Sequence, residues 1–269
     1  MSIKIEHASY TYGANGPYEI HALRDINLTV NDGDFMAVIG PTGSGKSTLI
    51  QIMGGLVVPT EGSISFSYDD KRKIGMLFQY PEYQLFETTV WKDVAYGPGN
   101  LGFSEEEARK AAKKGLEMVG LDESLWEMSP FELSGGQKRR AALAGVLSME
   151  PEILILDEPT AGLDPIGRRE LFELITKLHH QEQITIVMIS HSMEDVAEFA
   201  NRIVVLHHGA LLFDGTPSEV FVHQKELEKA HLALPEMSYL MQDLKQAGFD
   251  VDTSVTTFAQ AREEILKRC

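Results

Sequence analysis

Apolar and polar residues alternate along the first part of the chain, as they do in strands that bury one face. The alternation covers residues 3–12 and 22–30, which are separated by the turn-rich segment GANGPYE. The run that follows at 35–40 is almost entirely apolar, which is typical of a strand buried on both faces of a parallel sheet. Further strands are predicted at 63–67 and 74–78, around the charged turn DDKRK. The chain is therefore expected to begin with β structure.

Helical periodicity dominates from about residue 90 to residue 150. Ser104 and Glu107 have the spacing of a capping box, which predicts a helix from there to about Val119. Ser134 can cap a second helix that continues through KRRAALAGVLSM. This part of the chain is expected to form a helical subdomain.

Strands return in the second half of the chain and alternate there with helical segments. They are predicted at 153–156, 184–190 and 202–207. Because strands that alternate with helices usually form βα units, this order predicts an α/β fold built on a parallel sheet.

The end of the chain has its own pattern. TPSE at Thr216 offers an N-cap, a proline at the first helical position and a glutamate three residues later. The tail from about 225 to 269 is predicted to hold two short helices, one ending at Gly248 and one after Thr257. Its apolar residues recur at helical spacing, and the sequence supports dimerisation and packing onto the core equally. These residues are Met237, Leu240, Met241 and Leu244.

Composition narrows the class of protein. The 269 residues are 43% hydrophobic and 24% charged, which is ordinary for a globular protein. No apolar run approaches the roughly 18–20 residues that cross a bilayer, and the N-terminus lacks a secretion signal. Cys269 is the one cysteine, so a cytosolic location without internal disulfides is expected. The net charge of -16 argues against a nucleic-acid partner, because such partners require clustered Lys and Arg.

A phosphate-binding loop is predicted where GPTGSGKS fits the G-x-x-x-x-G-K-[ST] pattern, between a buried strand and a helix. Glycines let the backbone curl so that N–H groups point at the β-phosphate, and the helix start adds positive charge. Lys46 is expected to bridge the β- and γ-phosphates of ATP, and Ser47 to bind Mg²⁺. The residues predicted to bind ATP in this loop are Gly40, Pro41, Thr42, Gly43, Ser44, Gly45, Lys46, Ser47 and Thr48.

Two adjacent carboxylates, Asp157 and Glu158, close the apolar run ILIL. They are expected at the carboxyl edge of a parallel sheet, where ligands of α/β proteins bind. We assign Asp157 to the magnesium shell, through water, and Glu158 to polarising the attacking water. The alternative is a solvated turn before Pro159, which the upstream phosphate loop disfavours.

The segment LSGGQ at 133–137 lies between these two features, and with it the chain resembles the ATP-binding cassette (ABC) family. LSGGQ looks like that family's signature motif. Gln79 matches the Q-loop glutamine, AGLD at 161–164 matches the D-loop, and His191 matches the switch histidine. Ser192 follows that histidine where relatives often have aspartate.

The resemblance also assigns the adenine platform. Tyr12 falls where the family places an aromatic residue under the base, although Tyr10 could occupy the same alternating strand. We favour Tyr12. Stacking without contacts to the base edges implies loose selectivity among nucleotides.

In the family, the signature motif meets the γ-phosphate held by a second subunit, so two chains close around two ATP molecules. Ser134 and the amides of Gly135 and Gly136, with Gln137 beside them, lie at a predicted helix start that can bind an anion. The catalytic residues implied are Glu158, His191 and Gln79, and the implied metal ligands are Ser47, Gln79 and Asp157.

The fold that the resemblance implies is a P-loop NTPase (RecA-like) parallel-sheet core. It carries an N-terminal antiparallel β subdomain and a helical subdomain at about 85–150. We expect an ATP-binding domain over 1–222 and a helical C-terminal extension over 223–269, a candidate dimerisation element.

Within the family, residues 78–102 and 131–165 and the short tail resemble the ATPases of energy-coupling factor (ECF) transporters. These transporters import vitamins and some transition-metal ions into bacteria. The form PEYQLFE resembles one of two paralogous ATPases. The resemblance to these ATPases implies Mg²⁺-dependent ATP hydrolysis coupled to transport, at the cytoplasmic face of the cell membrane. The implied partners are the other paralog in a heterodimer, a transmembrane coupling protein and a substrate-binding membrane component.

In these transporters the coupling protein inserts helices with arginine-containing motifs into grooves on the ATPases. The segment after Gln79 is suited to receive them, unless its aromatic residues fill the subdomain's own core. The expected groove residues are Tyr80, Tyr83, Leu85 and Phe86, with Glu82 or Glu87 pairing an arginine.

Other functions within the ABC family remain as alternatives. One is an ATPase of another transporter subclass, which co-purification would distinguish. Another is a soluble ABC ATPase acting on nucleic acid or ribosomes. Three features argue against this second alternative. The chain holds one cassette, where translation-type members carry two, and it has no room between Gln79 and Leu133 for the long coiled coil of chromosome-type members. It is also acidic, which disfavours nucleic acid. A non-hydrolysing regulatory module would be expected to lack Glu158 or His191.

Overall fold

The computed structural model describes residues 2–14, 16–67 and 73–267. Residues 69–72 of the predicted charged turn DDKRK, and Cys269, lie outside the described residues.

Strands and helices alternate along the described chain, and they are numbered here in chain order. The strands are β1 (Ile3–Tyr12), β2 (Ile20–Val30), β3 (Phe35–Ile39), β4 (Glu61–Phe66), β5 (Ile74–Leu77), β6 (Ile153–Asp157), β7 (Thr185–Ile189), β8 (Arg202–His207) and β9 (Ala210–Gly215). The helices are α1 (Lys46–Met53), α2 (Val90–Asn100), α3 (Glu105–Met118), α4 (Gly135–Leu147), α5 (Pro165–Gln181), α6 (Met193–Phe199), α7 (Pro217–Phe221), α8 (Gln224–Lys229), α9 (Glu236–Gln246) and α10 (Phe258–Leu266).

The chain divides into two compact units. We call Tyr68–Ile186 the central unit, and Ser2–Ser67 together with Val187–Cys269 the terminal unit. Strand β7 carries the chain from the first into the second.

The terminal unit contains the predicted antiparallel β subdomain. Strand β1 lies between β2 and β4 and pairs antiparallel with both. Ile3 and Ile5 of β1 are buried and Lys4 between them is exposed, as the period of two along the sequence predicts. The next buried residue is Ala8, three positions on, because the pairing of β1 with β2 shifts register between Ile5 and Ala8.

A buried strand pair forms the second part of the terminal unit. Strand β3 is buried along its whole length and pairs parallel with β8, with Ala37 opposite Ile203. Strand β9 completes this part as an antiparallel partner of β8, joined to it by a turn at Gly209, whose φ is 79°. The sequence patterns did not predict β9, an edge strand of six residues in which exposed residues alternate with half-buried ones and none is fully buried.

The central unit combines parallel strands with the predicted helices. Strands β5 and β6 pair in parallel, with Ile74 opposite Ile153. Ser104 and Glu107 form the predicted capping box at the start of α3. Helices α3 and α4 approach closely at Gly115, where an added Cβ would lie 2.6 Å from the carbonyl oxygen of Ala144.

The tail forms a small core of its own within the terminal unit. Met241, Val251, Val255 and Ala261 are buried together, and Met237, Leu244 and Ile265 pack against them. Three of the four apolar residues singled out in the tail therefore pack inside it, whereas Leu240 is 40% exposed. Both predicted tail helices are present as α9 and α10, and α8 precedes them.

Within the described residues, no helix has both the length and the apolar character that crossing a bilayer requires.

Candidate active site

The phosphate loop connects β3 to α1 in the terminal unit, as the motif predicts. Two of its glycines are required by packing, because a Cβ on Gly40 would lie 2.4 Å from the Leu206 carbonyl oxygen. A Cβ on Gly45 would lie 2.5 Å from that of Ala22. Gly43 has a φ of 79°, which favours glycine by itself. The loop therefore keeps a curled backbone that residues with side chains could not adopt.

The charge and polar groups of this loop fit a phosphate ligand. Lys46 is buried, and its Nζ donates to the carbonyl oxygens of Gly40 at 2.7 Å and Pro41 at 3.1 Å. No side chain caps the start of α1, and its first turn holds no acidic residue. Ser44 Oγ is buried without a hydrogen-bond partner. A helix start with uncapped amides beside a lysine is an anion site, and the exposed Ser47 is in its first turn.

Tyr12 lies against the helix that follows the phosphate loop. Its hydroxyl is 3.1 Å from Oγ1 of Thr48, and 41% of the residue is exposed. Tyr10 packs edge-on against it, with ring centroids 4.8 Å apart, and is less exposed. This arrangement leaves the Tyr12 ring, rather than that of Tyr10, available for stacking.

His191 lies just beyond the end of β7, in the terminal unit, and is exposed. Ser192 caps helix α6, with its Oγ accepting from the Asp195 amide at 3.2 Å. Ser192 therefore fixes the start of the helix that follows the histidine.

Asp157 and Glu158 lie at the edge of the central unit where the parallel strands β5 and β6 end side by side, which we call the acidic edge. Glu158 follows β6 with a φ of 47°, in the left-handed region that non-glycine residues rarely adopt. Gln79 follows β5, and its Nε2 donates to Oε2 of Glu158 at 3.0 Å. The structure thus brings two of the three predicted catalytic residues into contact, with Asp157 beside them at the end of β6. A strained backbone at such a position is common at functional sites.

The start of α4 is capped by its own side chains but exposed to solvent. Ser134 Oγ accepts from the Gln137 amide at 3.4 Å, and Gln137 Oε1 accepts from the Ser134 amide at 2.9 Å. Gly135 and Gly136 are exposed, have no positive φ, and an added Cβ on either would meet no atom within 4 Å. The chain's own fold therefore gives no reason for two glycines here, whereas close approach of a ligand does.

The predicted metal ligands are the hydroxyl of Ser47, the carboxylate of Asp157 and the side-chain amide of Gln79. Among the described residues, no three His, Cys, Asp or Glu side chains form a group that could hold a metal ion. The set Ser47, Gln79 and Asp157 includes one carboxylate. That donor set is of the kind Mg²⁺ takes, since this ion commonly binds one or two carboxylates and completes its shell with phosphates and water.

The patterns did not identify Arg139. This residue of α4 is 4% exposed, and its guanidinium donates to both carboxylate oxygens of Glu82 at 3.1–3.3 Å. It also donates to the carbonyl oxygens of Pro159 at 3.1 Å and Ala161 at 3.0 Å. The signal available in the sequence was its spacing, because Arg139 lies four residues before Leu143 on the buried face of the helix.

Two of the residues predicted to receive the coupling protein have other roles. Glu82 is paired with Arg139 inside the chain, so Glu87 is the remaining carboxylate predicted to pair an arginine. Leu85 is 7% exposed and belongs to the buried core.

The other three members of that set are exposed. Tyr80, Tyr83 and Phe86 are 42%, 84% and 56% exposed, and Tyr96 packs edge-on against Phe86 with centroids 4.9 Å apart. We call residues 80–87 the docking segment. Three large exposed aromatic side chains within seven residues form the kind of patch that marks an interaction surface.

Comparisons with known proteins agree with these motifs. Residues 23–161 match the ABC transporter family. The chain is 50% identical to the energy-coupling factor transporter ATP-binding protein EcfA2 of Clostridium perfringens, over 99% of this chain and 98% of that one. It is 46% identical to EcfA2 of Enterococcus faecalis, over 100% and 97% of the two chains.

Solved structures show the same fold. CbiO1 of Clostridium perfringens, part of the ABC transporter complex CbiONQ, has a TM-score of 0.73 and 37% identity over 89% of this chain and 98% of that one. A dimeric ATP-binding cassette in a post-hydrolysis state, bound to ADP and phosphate, has a TM-score of 0.69 and 33% identity over 80% and 98%.

Proposed function

The chain belongs to the ABC transporter family, among its energy-coupling factor ATP-binding proteins, and we propose that it hydrolyses Mg-ATP to power import of a vitamin or another micronutrient. The observation that carries the hydrolytic part is the contact between Gln79 and Glu158 at the end of two parallel strands. A protein that only bound ATP would have no use for a strained carboxylate held by an amide.

The proposed reaction is in-line attack of water on the γ-phosphate of ATP. Glu158 orients the water and accepts its proton, and Gln79 holds the Glu158 carboxylate in place. Lys46 binds the β- and γ-phosphates, and His191 donates to the γ-phosphate. Ser47, Gln79 and Asp157 would hold Mg²⁺, which when bound neutralises charge that develops on the phosphates. Most of the acceleration then comes from positioning.

A second subunit completes the proposed site. Ser134, Gly135 and Gly136 form an open helix start whose glycines the fold does not require. We infer that they bind the γ-phosphate of a nucleotide held by the paralogous ATPase, and that Tyr12 stacks on the adenine of the nucleotide that this chain holds.

The membrane partners follow from the relatives and the docking segment. We infer that a transmembrane coupling protein contacts Tyr80, Tyr83 and Phe86, with Glu87 beside them for an arginine. The chain would then be peripheral at the cytoplasmic face of the membrane, with a separate membrane component binding the substrate. The net charge of -16 disfavours nucleic acid as a partner.

Co-purification tests this function. The tagged chain, expressed with its membrane partners, should bring down a second ATPase, a coupling protein and a substrate-binding membrane protein, and the complex should hydrolyse ATP. Recovery of transmembrane subunits of a different type would favour another ABC transporter subclass.

A matched pair of variants tests the docking segment. Tyr83→Ala should weaken recovery of the coupling protein, whereas Tyr18→Ala should not. Both are tyrosines of similar exposure, 84% and 86%. Equal recovery with both variants would place the coupling protein elsewhere.

A further inference from the structure

We propose that Arg139 is a positioning residue that transmits the position of the docking segment to the backbone that holds Glu158; the inference rests on the proposed function. Docking of the membrane partner would then change the rate of ATP hydrolysis through this buried guanidinium, in addition to Gln79, which precedes the docking segment and contacts Glu158 directly. No catalytic contact is assigned to Arg139 itself.

The first step is the contact between Arg139 and the docking segment. Glu82 lies in the turn Pro81–Gln84, between the exposed side chains of Tyr80 and Tyr83. Both of its carboxylate oxygens accept from Arg139, whose side chain is 5% exposed, against 20% for Glu82. A bidentate pair that is shielded from water is strong and directional, so a shift of the turn moves the guanidinium with it.

The second step joins the same guanidinium to the acidic edge. Nη1 donates to the carbonyl oxygen of Pro159 at 3.1 Å and Nη2 to that of Ala161 at 3.0 Å. Pro159 directly follows Glu158, and the Ala161 amide donates back to the Glu158 carbonyl oxygen at 3.0 Å. The turn that fixes Glu158 at its φ of 47° is therefore held by Arg139. A residue in a rare backbone conformation persists only when its surroundings fix it in this way.

The third step is that the docking segment is anchored at its other end. The amides of Phe86 and Glu87 both donate to Oδ2 of Asp93, in helix α2, at 2.8 Å. A segment fixed at both ends transmits a displacement rather than absorbing it. The two anchors differ in what they touch, because only Arg139 reaches the backbone beside Glu158.

Two variants that keep side-chain size test the proposal. Arg139→Lys keeps the positive charge but loses the planar fork that reaches a carboxylate and two carbonyls together. Glu82→Gln keeps the shape but removes the charge. The control is Arg140→Lys, the next residue of the same helix, whose Arg140 pairs with Glu170 at 2.6 Å instead.

In the complete complex, Arg139→Lys and Glu82→Gln should each lower kcat by roughly tenfold or more, since small misplacements at a reacting centre have such effects. The KM for ATP should stay within about twofold, because the phosphate loop is unchanged. Arg140→Lys should resemble the wild type. A kcat unchanged by both test variants, or lowered as much by Arg140→Lys, would overturn the proposal.

Hydrogen exchange in the isolated chain gives a second measurement that does not depend on hydrolysis. The amides of Ala161 and Leu163, which close turns after Glu158, should exchange faster in Glu82→Gln, while exchange in the tail helices is unchanged. Unchanged exchange at both amides, or faster exchange throughout the chain, would show a merely structural role. If the wild-type complex hydrolyses no ATP, the proposed function fails, and exchange still decides whether Arg139 couples the two segments.

Discussion

A substitution at Gly136 should raise stability and lower activity together. Gly136 is in the first turn of α4, is exposed, and has open space where a Cβ would be. Alanine in a helix is favoured over glycine by about 0.5–1 kcal/mol, because glycine loses more backbone freedom on folding. For a chain of this size that corresponds to a rise in Tm of about 1–4 °C.

The same methyl group should interfere with ATP hydrolysis. If Gly136 meets the γ-phosphate of a nucleotide on the partner subunit, the added carbon displaces that phosphate or the helix start by about 1 Å. A misplacement of that size costs about 100-fold in rate. Binding of ATP to this chain's own phosphate loop should be unaffected, since the loop is not changed.

The assay compares Gly136→Ala with Gly145→Ala by thermal unfolding and by phosphate release from the full complex. Gly145 is in the same helix, and its added Cβ would be 3.9 Å from Val94 Cα, which is ordinary contact. Both variants should gain stability, and only Gly136→Ala should lose activity. If Gly136→Ala hydrolysed ATP at the wild-type rate, the signature glycines would not face a ligand and the two-subunit site would be refuted.

Three further predictions concern the nucleotide site and the docking segment. Glu158→Gln should keep ATP binding but abolish steady-state phosphate release; undiminished release would remove Glu158 from its role. Tyr12→Ala should weaken ATP binding by about 1–3 kcal/mol, the value of one base stack, whereas Tyr12→Phe should bind normally; equal losses in calorimetric titrations would contradict stacking. Burial raises the pKa of Asp93 above its ordinary 3.8, so the stability it contributes is present below that value and is lost as pH rises through the raised pKa. Asp93→Asn keeps an acceptor for the Phe86 and Glu87 amides, so at neutral pH the variant should be at least as stable as wild type. On acidification its free energy of unfolding should gain little from this position, whereas that of wild type should gain from protonation of Asp93; urea unfolding at several pH values measures both.

Local signals in the sequence were sufficient for most of the fold. Capping boxes at Ser104, Ser134 and Thr216 mark helix starts because a side chain and an amide three residues apart satisfy each other without help from the rest of the chain. The buried strands β3 and β6 are also recognisable locally, because each is a short run of apolar residues. The edge strand β9 was not predicted, because half of its residues face solvent and its pairing with β8 depends on a turn at Gly209.

The tail shows the limit of periodicity. Helical spacing identified Met237, Leu240, Met241 and Leu244 as one apolar face, but spacing cannot say what that face meets. In the structure Met241 packs against Val251 and residues further along the tail, so most of the face is used locally. The exposed Leu240 remains available to a partner, and the prediction of dimerisation depends on it and its neighbours.

The docking segment shows why the candidate site could be predicted only in part. The motifs predicted Gln79 and Glu158 at the ends of two strands, and their contact is seen only once β5 and β6 are known to pair in parallel. The role of Glu82 does not, because Arg139 lies 57 residues away and a glutamate beside three aromatic residues reads equally well as a ligand for a partner's arginine. If Glu82 turned to pair with another protein's arginine, the buried charge of Arg139 would be left uncompensated, which would destabilise the chain. A surface that carries a coupling signal into the protein needs such a fixed internal contact, and a surface that only binds does not.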